Sequence, residues 1–156
     1  MSPTEPATPR TGPSIKGRAL RLLALREHTR AELEQKLARH DPDPEELRQA
    51  LNDLQAKGFI SEARVVESVL HTRASRLGAQ RVRRELQHKG VSAEAVAAAM
   101  DRLRETEEVR AREVWRKKFG APATDAQERA KQIRFLIARG FAAEVVRRVT
   151  RADDSD

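Results

Sequence analysis

The sequence predicts an all-α protein built as three tandem three-helix modules forming an elongated rod. Three observations carry this reading. Apolar residues recur with helical spacing along nearly the whole chain, glycines and prolines cut these periodic stretches into short pieces, and the pattern repeats at an offset of about 50 residues. No run of alternating β-branched residues bounded by hairpin turns competes with the helical pattern.

Taken in order, residues 1–15 are expected to be a flexible tail. Four of the seven prolines fall among the first 14 positions, beside Ser, Thr and Gly, and such a stretch cannot bury enough apolar surface to offset the ordering of its backbone. The first module, 16–60, holds helices at 16–26, 30–40 and 44–57. Its second helix opens on the capping box Thr29-Arg-Ala-Glu32, in which the threonine oxygen accepts a backbone N–H and the glutamate reaches back. Pro42 and Pro44 stop that helix, and Gly58 stops the next. The second module, 61–105, holds helices at 62–76, 79–89 and 93–104, capped by Ser61 and Ser92 and punctuated by Gly78 and Gly90. The third, 106–151, holds helices at 107–119, 126–139 and 143–150, with breaks at Gly120, Pro122 and Gly140 and a second capping box, Asp125-Ala-Gln-Glu128. Residues 152–156 carry three aspartates and are expected to be a short acidic tail.

The repeat can be read directly. Leu86–Val96 resembles Leu136–Val146 fifty residues on, and a first module set about 49 residues earlier places Leu33 and Leu37 over Val82 and Leu86, with Pro42 and Pro44 where the glycine turn would be. Leu, Ile, Val and Phe make up only about 21% of the chain, barely above the range in which chains stay unfolded, so the core must be thin and spread along the molecule. Modules stacked in series reconcile a thin core with a folded chain.

Composition narrows the function. With 31 basic and 24 acidic residues the net charge is +7, which favours a polyanionic partner through counterion release. Aromatic residues are only 3%, too few for a base-stacking platform, so contact with nucleic acid would be through phosphates. The absence of cysteine excludes disulfides and thiolate-ligated metals. His28, His40, His71 and His88 lack metal-ligand spacing, no nucleotide-binding glycine pattern occurs, and each glutamate has an arginine within helical reach, as Glu85 has Arg81. Neither an enzyme nor a cofactor is expected, and without a secretory signal or membrane span the protein is expected in the cytoplasm, as a monomer.

Helical wheels sort the cations. On 79–89, Ala79, Val82 and Leu86 form the buried side and Arg81, Arg84 and His88 an exposed basic stripe. On 62–76, Val65, Val66, Val69 and Leu70 are buried, Arg64 and His71 lie opposite, and Arg73 falls on the apolar side, where it must snorkel or pair with a carboxylate. On 126–139 the buried side is Ala126, Ala130, Ile133, Leu136 and Ile137, leaving Phe135 among Lys131, Gln132 and Arg139. Phe135 is expected to be covered by another helix of its module, while Lys131 and Arg139 contact a partner. Between 129 and 151, Arg129, Lys131, Arg134, Arg139, Arg147, Arg148 and Arg151 face only Glu144, more charge than solubility requires.

These residues resemble a known family. The segment Ser61-Glu-Ala-Arg64-Val-Val-Glu67 through Arg73, Gly78, Arg81, Val82, Glu85, Leu86, Lys89 and Gly90-Val91 is similar to the central signature of RecX, the bacterial regulators of the recombinase RecA. Ala19–Leu33 resembles the family's opening, Leu54-Gln-Ala-Lys57-Gly58-Phe-Ile60 its first-module exit, and Arg134-Phe135-Leu136-Ile-Ala-Arg139-Gly140-Phe141 its last module, so that the likeness spans about residues 16–150. Two positions depart from the pattern. Ser61 stands for the family's usual aspartate and Val65-Val66 for Phe-Ala, changes that keep a helix start and an apolar stripe. The resemblance implies a curved rod that binds in the groove of the RecA filament on single-stranded DNA, limiting its extension, ATP hydrolysis, strand exchange and co-protease activity, with duplex DNA a further phosphate-bearing partner. It assigns filament or DNA contact to Arg64, Arg73, Arg81, Arg84 and Lys89 in the middle module and to Phe135 and Arg139 in the last, beside the Lys131 contact read from charge. The rivals are a helix-turn-helix regulator that reads duplex sequence and a helical adaptor for another protein. Against the first, Gln80 and Gln87 point away from Arg81, the side chain placed to read bases.

Overall fold

The computed structural model describes residues 12–151, and within them the chain forms eight helices and no strand. Of the expected tails, 1–15 and 152–156, residues 1–11 and 152–156 lie outside the described residues, whereas Ser14 caps the first helix and Ile15 begins it with a buried side chain. The helices are α1 (Ile15–Leu25), α2 (Arg30–Ala38), α3 (Pro44–Ala56), α4 (Glu62–Arg73), α5 (Ala79–His88), α6 (Ala93–Lys118), α7 (Ala126–Ala138) and α8 (Ala143–Thr150). The sixth and seventh predicted helices are therefore one. The stretch Arg102-Leu-Arg-Glu-Thr-Glu-Glu108 contains no glycine or proline and consists mostly of good helix formers, so nothing interrupts α6 where one module passes into the next. At 26 residues α6 is about 39 Å long.

Three separate cores follow one another along the chain. The first joins Ile15, Ala19, Leu33, Leu37, Leu51, Leu54 and Ile60. The second is built on Val65, Val69, Val82, Leu86, Val96 and Leu103, and the third on Ala111, Leu136, Phe141, Val146 and Val149. The main helix packing stays within a module, and α6 serves two of them, giving Val96, Ala99 and Leu103 to the middle core and Ala111 to the last.

The repeat register is visible in the backbone. Leu37, Leu86 and Leu136 are all fully enclosed, and the turn positions that follow, Asp41, Gly90 and Gly140, all have positive φ, at 46°, 81° and 94°. The first module thus reproduces the glycine turn with an aspartate, one of the few side chains that tolerate the left-handed region.

Caps place the helix starts. The Thr29 box forms in full, and Ser14, Ser61 and Ser92 accept from backbone N–H groups in the first turns of α1, α4 and α6. The second box forms by half. Asp125 accepts from Glu128 N at 2.7 Å, but the glutamate reaches past it to the hydroxyl of Thr124 at 3.0 Å.

The buried side of α7 differs from expectation. Ala126 and Ile137 are exposed, while Gln132, placed by the wheel on the polar side, is completely enclosed. It occupies the register of Leu33 and Val82, and its amide accepts from the Trp115 indole at 2.9 Å and donates to the Ala121 carbonyl at 3.2 Å. Because α7 packs against both α6 and α8, it has two covered sides rather than one.

Candidate functional site

Which cations are available to a partner depends on the two module junctions. At the first, Thr29 caps α2 and also donates its hydroxyl to the Lys89 carbonyl, while Ala31 sits so close to Gly90 that an added Cβ there would come within 2.6 Å of it. Glu32 receives Arg26 at 2.7 Å and Lys89 at 3.7 Å. Burial disfavours the charged form of Glu32, but the hydrogen bonds from Arg26 and Thr29 and the charge of Lys89 prevail and hold its pKa below the ordinary carboxylate value. Arg64 closes the junction from the other side, donating to Glu27 at 2.9 Å and to the Gly58 carbonyl at 2.6 Å. His28 is enclosed nearby. Its Nε2 lies 2.9 Å from the Lys36 ammonium, which can only donate, so the ring proton is assigned to Nδ1, 2.9 Å from the Arg26 carbonyl. Burial lowers the His28 pKa, and the charges of Arg26 and Lys36 add to the effect.

The second junction is a backbone contact. Gly78 N–H donates to the Arg139 carbonyl at 2.8 Å and Gln80 N–H to the Gly140 carbonyl at 3.1 Å, and a Cβ on Gly78 would fall 2.3 Å from the Gly140 backbone. Neither α5 nor α8 has a side-chain cap, since Gly78 and Ala142 stand at their N-caps. Glu107 of α6 serves both. It is buried, and its Oε1 accepts from Ala79 N at 3.3 Å and from Ala142 N at 3.4 Å. One turn on, Arg110 donates to the carbonyls of Ala74 and Leu77, each at 2.8 Å, and to that of Leu103 at 3.0 Å. Burial pulls the Arg110 pKa below its ordinary value, against the pull of Glu107. The middle of α6 thus supplies the missing groups at both ends of the α4–α5 connection and at the start of α8. Sequence reasoning passed over both residues. The signal was that two predicted helices began without a side-chain oxygen, so an acceptor had to come from elsewhere.

Against this frame the expected contact residues divide. Arg64 is spent on the first junction, and Lys89, only 17% exposed in its side chain, lies there too. Arg73 meets the requirement of its position by pairing with Glu85 at 3.4 Å, which leaves the Glu85–Arg81 pair unformed. Arg81, Arg84 and His88 are all exposed, as the wheel predicts, but Arg81 is also engaged across the second junction. Its guanidinium donates to the Ala138 carbonyl at 2.9 Å, and its stem lies where a side chain on Gly140 would be. Arg84 and Lys131 are exposed and have no side-chain partner among the described residues. Phe135 is half-buried against the third core, with the Phe119 ring edge-on at 5.4 Å. The cations of Arg139 and Lys118 lie 4.9 and 5.3 Å from its ring centre. The aromatic is therefore covered by the end of α6, and Arg139 is held on its face.

Exposed cations without a carboxylate partner among the described residues occur on all three modules, among them Arg21 and Arg39 on the first and Arg76, Arg83 and Arg84 on the middle one. Arg129, Lys131, Arg134 and Arg147 are exposed without a carboxylate partner among the described residues, whereas Arg148 pairs with Glu144 at 2.6 Å. No helix among the described residues is long and apolar enough to cross a membrane, and no group of three or more His, Asp or Glu side chains there is placed to hold a metal.

Comparison with known proteins gives one answer along the chain. Models of the first, second and third three-helix domains of RecX match residues 16–59, 61–100 and 105–150. The regulatory protein RecX of Leptothrix cholodnii is 56% identical over 143 residues, spanning 92% of this chain and 91% of its own length. That of Ralstonia nicotianae is 42% identical over 149 residues, spanning 96% and 94%. The crystal structure of RecX from Lactobacillus salivarius superposes with a TM-score of 0.69 over 86% of this chain and 91% of its own, and that of another regulatory protein RecX with 0.71 over 86% and 70%. Both are 20% identical, so their likeness is one of fold.

Proposed function

The chain belongs to the RecX family of regulatory proteins, and from that membership we propose that it modulates RecA by binding the groove of the RecA–single-stranded DNA filament. Bound there, it limits filament extension and so depresses ATP hydrolysis, strand exchange and co-protease activity. The domain division at 16–60, 61–105 and 106–151 gives three contact units in series, with the passage between the last two lying inside α6. It acts in the cytoplasm as a monomer, without catalysis or cofactor.

The observation that carries this reading is the set of exposed cations without a carboxylate partner among the described residues, spread over all three modules, among them Arg21 and Arg39 on the first, Arg76 and Arg83 on the middle and Arg129, Lys131, Arg134 and Arg147 on the last. Cations without carboxylate partners can exchange condensed counterions for phosphates. Modules in series let several weak contacts act together, each raising the effective concentration of the next. Arg64, Arg81 and Lys89 then position these contacts by holding the modules in place, Arg73 by pairing α4 with α5 inside the middle module, and Phe135 holds Arg139.

A helix-turn-helix reader of duplex sequence has less support. The start of α5, which would enter the major groove, is packed on the α7–α8 turn through Gly78 and Arg81. The test is RecA ATP hydrolysis on single-stranded DNA with and without the protein, beside binding to random duplex. Suppressed hydrolysis with weak, non-specific duplex binding supports the filament reading. Unchanged hydrolysis with tight duplex binding supports the sequence reader, and neither effect supports an adaptor role.

A further inference from the structure

Among the described residues, Leu25, Phe59, Val109 and Ile137 are large apolar side chains left exposed. Scattered apolar residues are ordinary on a protein surface, but Ile137 lies in a cleft. Where the middle and last modules meet, α5, the end of α7 and the start of α8 surround a depression of about 520 Å³. Ile137, Phe141 and Ala143 form its apolar wall and Arg81 and Arg84 its cationic one, and no acidic side chain lines it. Arg81 is committed to the Ala138 carbonyl, so Arg84 is the guanidinium left for a partner.

An isoleucine at 43% exposure beside an unpaired arginine suits a protein segment that presents an aliphatic side chain next to a carboxylate. A nucleic-acid strand suits it less. Phosphates gain from Arg84 but would set a charged backbone against Ile137, and none of the lining residues offers an exposed aromatic ring for a base. We propose that the cleft between α5 and the α7–α8 turn is a protein-docking site that takes an acidic–aliphatic segment of the partner. On the function argued above that partner is RecA, so the inference rests on that reading. It separates protein contact in the cleft from phosphate contact along the unpaired cations of α7. Apolar burial at the centre with an ion pair beside it supplies both affinity and register.

The test uses Ile137→Asp, which removes the apolar contact and opposes the incoming carboxylate, and Arg84→Ala, which removes the cation. Both positions are exposed and thermal melts check folding, with Arg84→Ala carrying the test if Ile137→Asp melts early. Each variant is measured for co-sedimentation with RecA–single-stranded DNA filaments and for binding to the same DNA without RecA. The expected result is a loss of filament affinity of about tenfold or more for Ile137→Asp and about three- to tenfold for Arg84→Ala, with bare-DNA affinity of Ile137→Asp within about twofold of wild type. An equal loss on bare DNA would assign the cleft to nucleic acid, and unchanged filament affinity in either folded variant would leave the cleft unused. Each overturns the proposal. Wild-type protein that fails to sediment with filaments refutes the RecA reading, and the docking proposal with it.

Discussion

Glu107→Ala removes the one acceptor that serves the first turns of both α5 and α8. Loss of an N-cap costs about 0.5–2 kcal/mol, and the two bonds here, at 3.3 and 3.4 Å, are long enough to place each near about 1 kcal/mol. The side chain is also buried, and its removal leaves the Arg110 guanidinium without its neighbouring opposite charge, adding about 1 kcal/mol. The expected total is about 2–3 kcal/mol, or a melting temperature lower by about 5–10 °C for a chain of this size. Glu107→Gln keeps an acceptor oxygen in place and should cost about half as much. Urea titration followed by circular dichroism gives the energies, and hydrogen exchange at the Ala79 and Ala142 amides gives the location, since both should lose protection while the first module keeps its own. The neighbouring Glu108, only partly covered and paired only at 3.7 and 3.9 Å, is the control, and Glu108→Ala should change stability by less than about 0.5 kcal/mol. A Glu107→Ala protein as stable as the control, with unchanged exchange at both amides, would refute the shared cap.

The other expectations follow from the same contacts. Phe135→Ala should destabilise by about 2–3 kcal/mol in urea, less than the ~3–5 of a fully enclosed aromatic, because the ring is only half-buried; an unchanged midpoint would contradict its packing against Phe119. Lys131→Glu with Arg134→Glu should leave melting unchanged and flatten the salt dependence of single-stranded DNA binding by about 1.4 units of slope, about 0.7 for each lost phosphate contact, and an unchanged slope would make these cations a solvated face. Stability should be level above about pH 7 and fall as the pH drops through 6.5, the ordinary histidine value. There the unfolded chain takes up a proton that folded His28, its pKa lowered by burial, does not. His40, also shifted down, acts in the same direction, so His28→Gln should shrink the slope between pH 7 and 5.5 rather than abolish it. Urea midpoints across that range check this, and an undiminished slope would show that His28 is not its source.

Much of the fold was legible because its signals are local. Caps act on N–H groups three residues away and glycine turns on the next residue, so Thr29, Ser61, Ser92, Gly90 and Gly140 mark helix ends whatever surrounds them. The apolar period and the repeat likewise need only chain order, which is why Leu37, Leu86 and Leu136 could be aligned before their shared burial was seen. Even Gln132 was within reach, since the repeat sets it over Val82 and Leu33, but the wheel of a single helix cannot show that the helix has neighbours on two sides.

The sequence by itself determined the helical class, most helix ends and the threefold register, together with an excess of positive charge in the last module. Which charges are available was decided by the tertiary structure alone. Arg64 meets Glu27 at a separation of 37 residues, Arg81 meets the Ala138 carbonyl at 57, and Glu107 reaches Ala79 and Ala142 at 28 and 35. No helical spacing encodes such pairs. A long polar side chain can satisfy any unpaired backbone group that the packing brings within reach, and only the folded chain determines whether an arginine has been used in this way or left free for a phosphate.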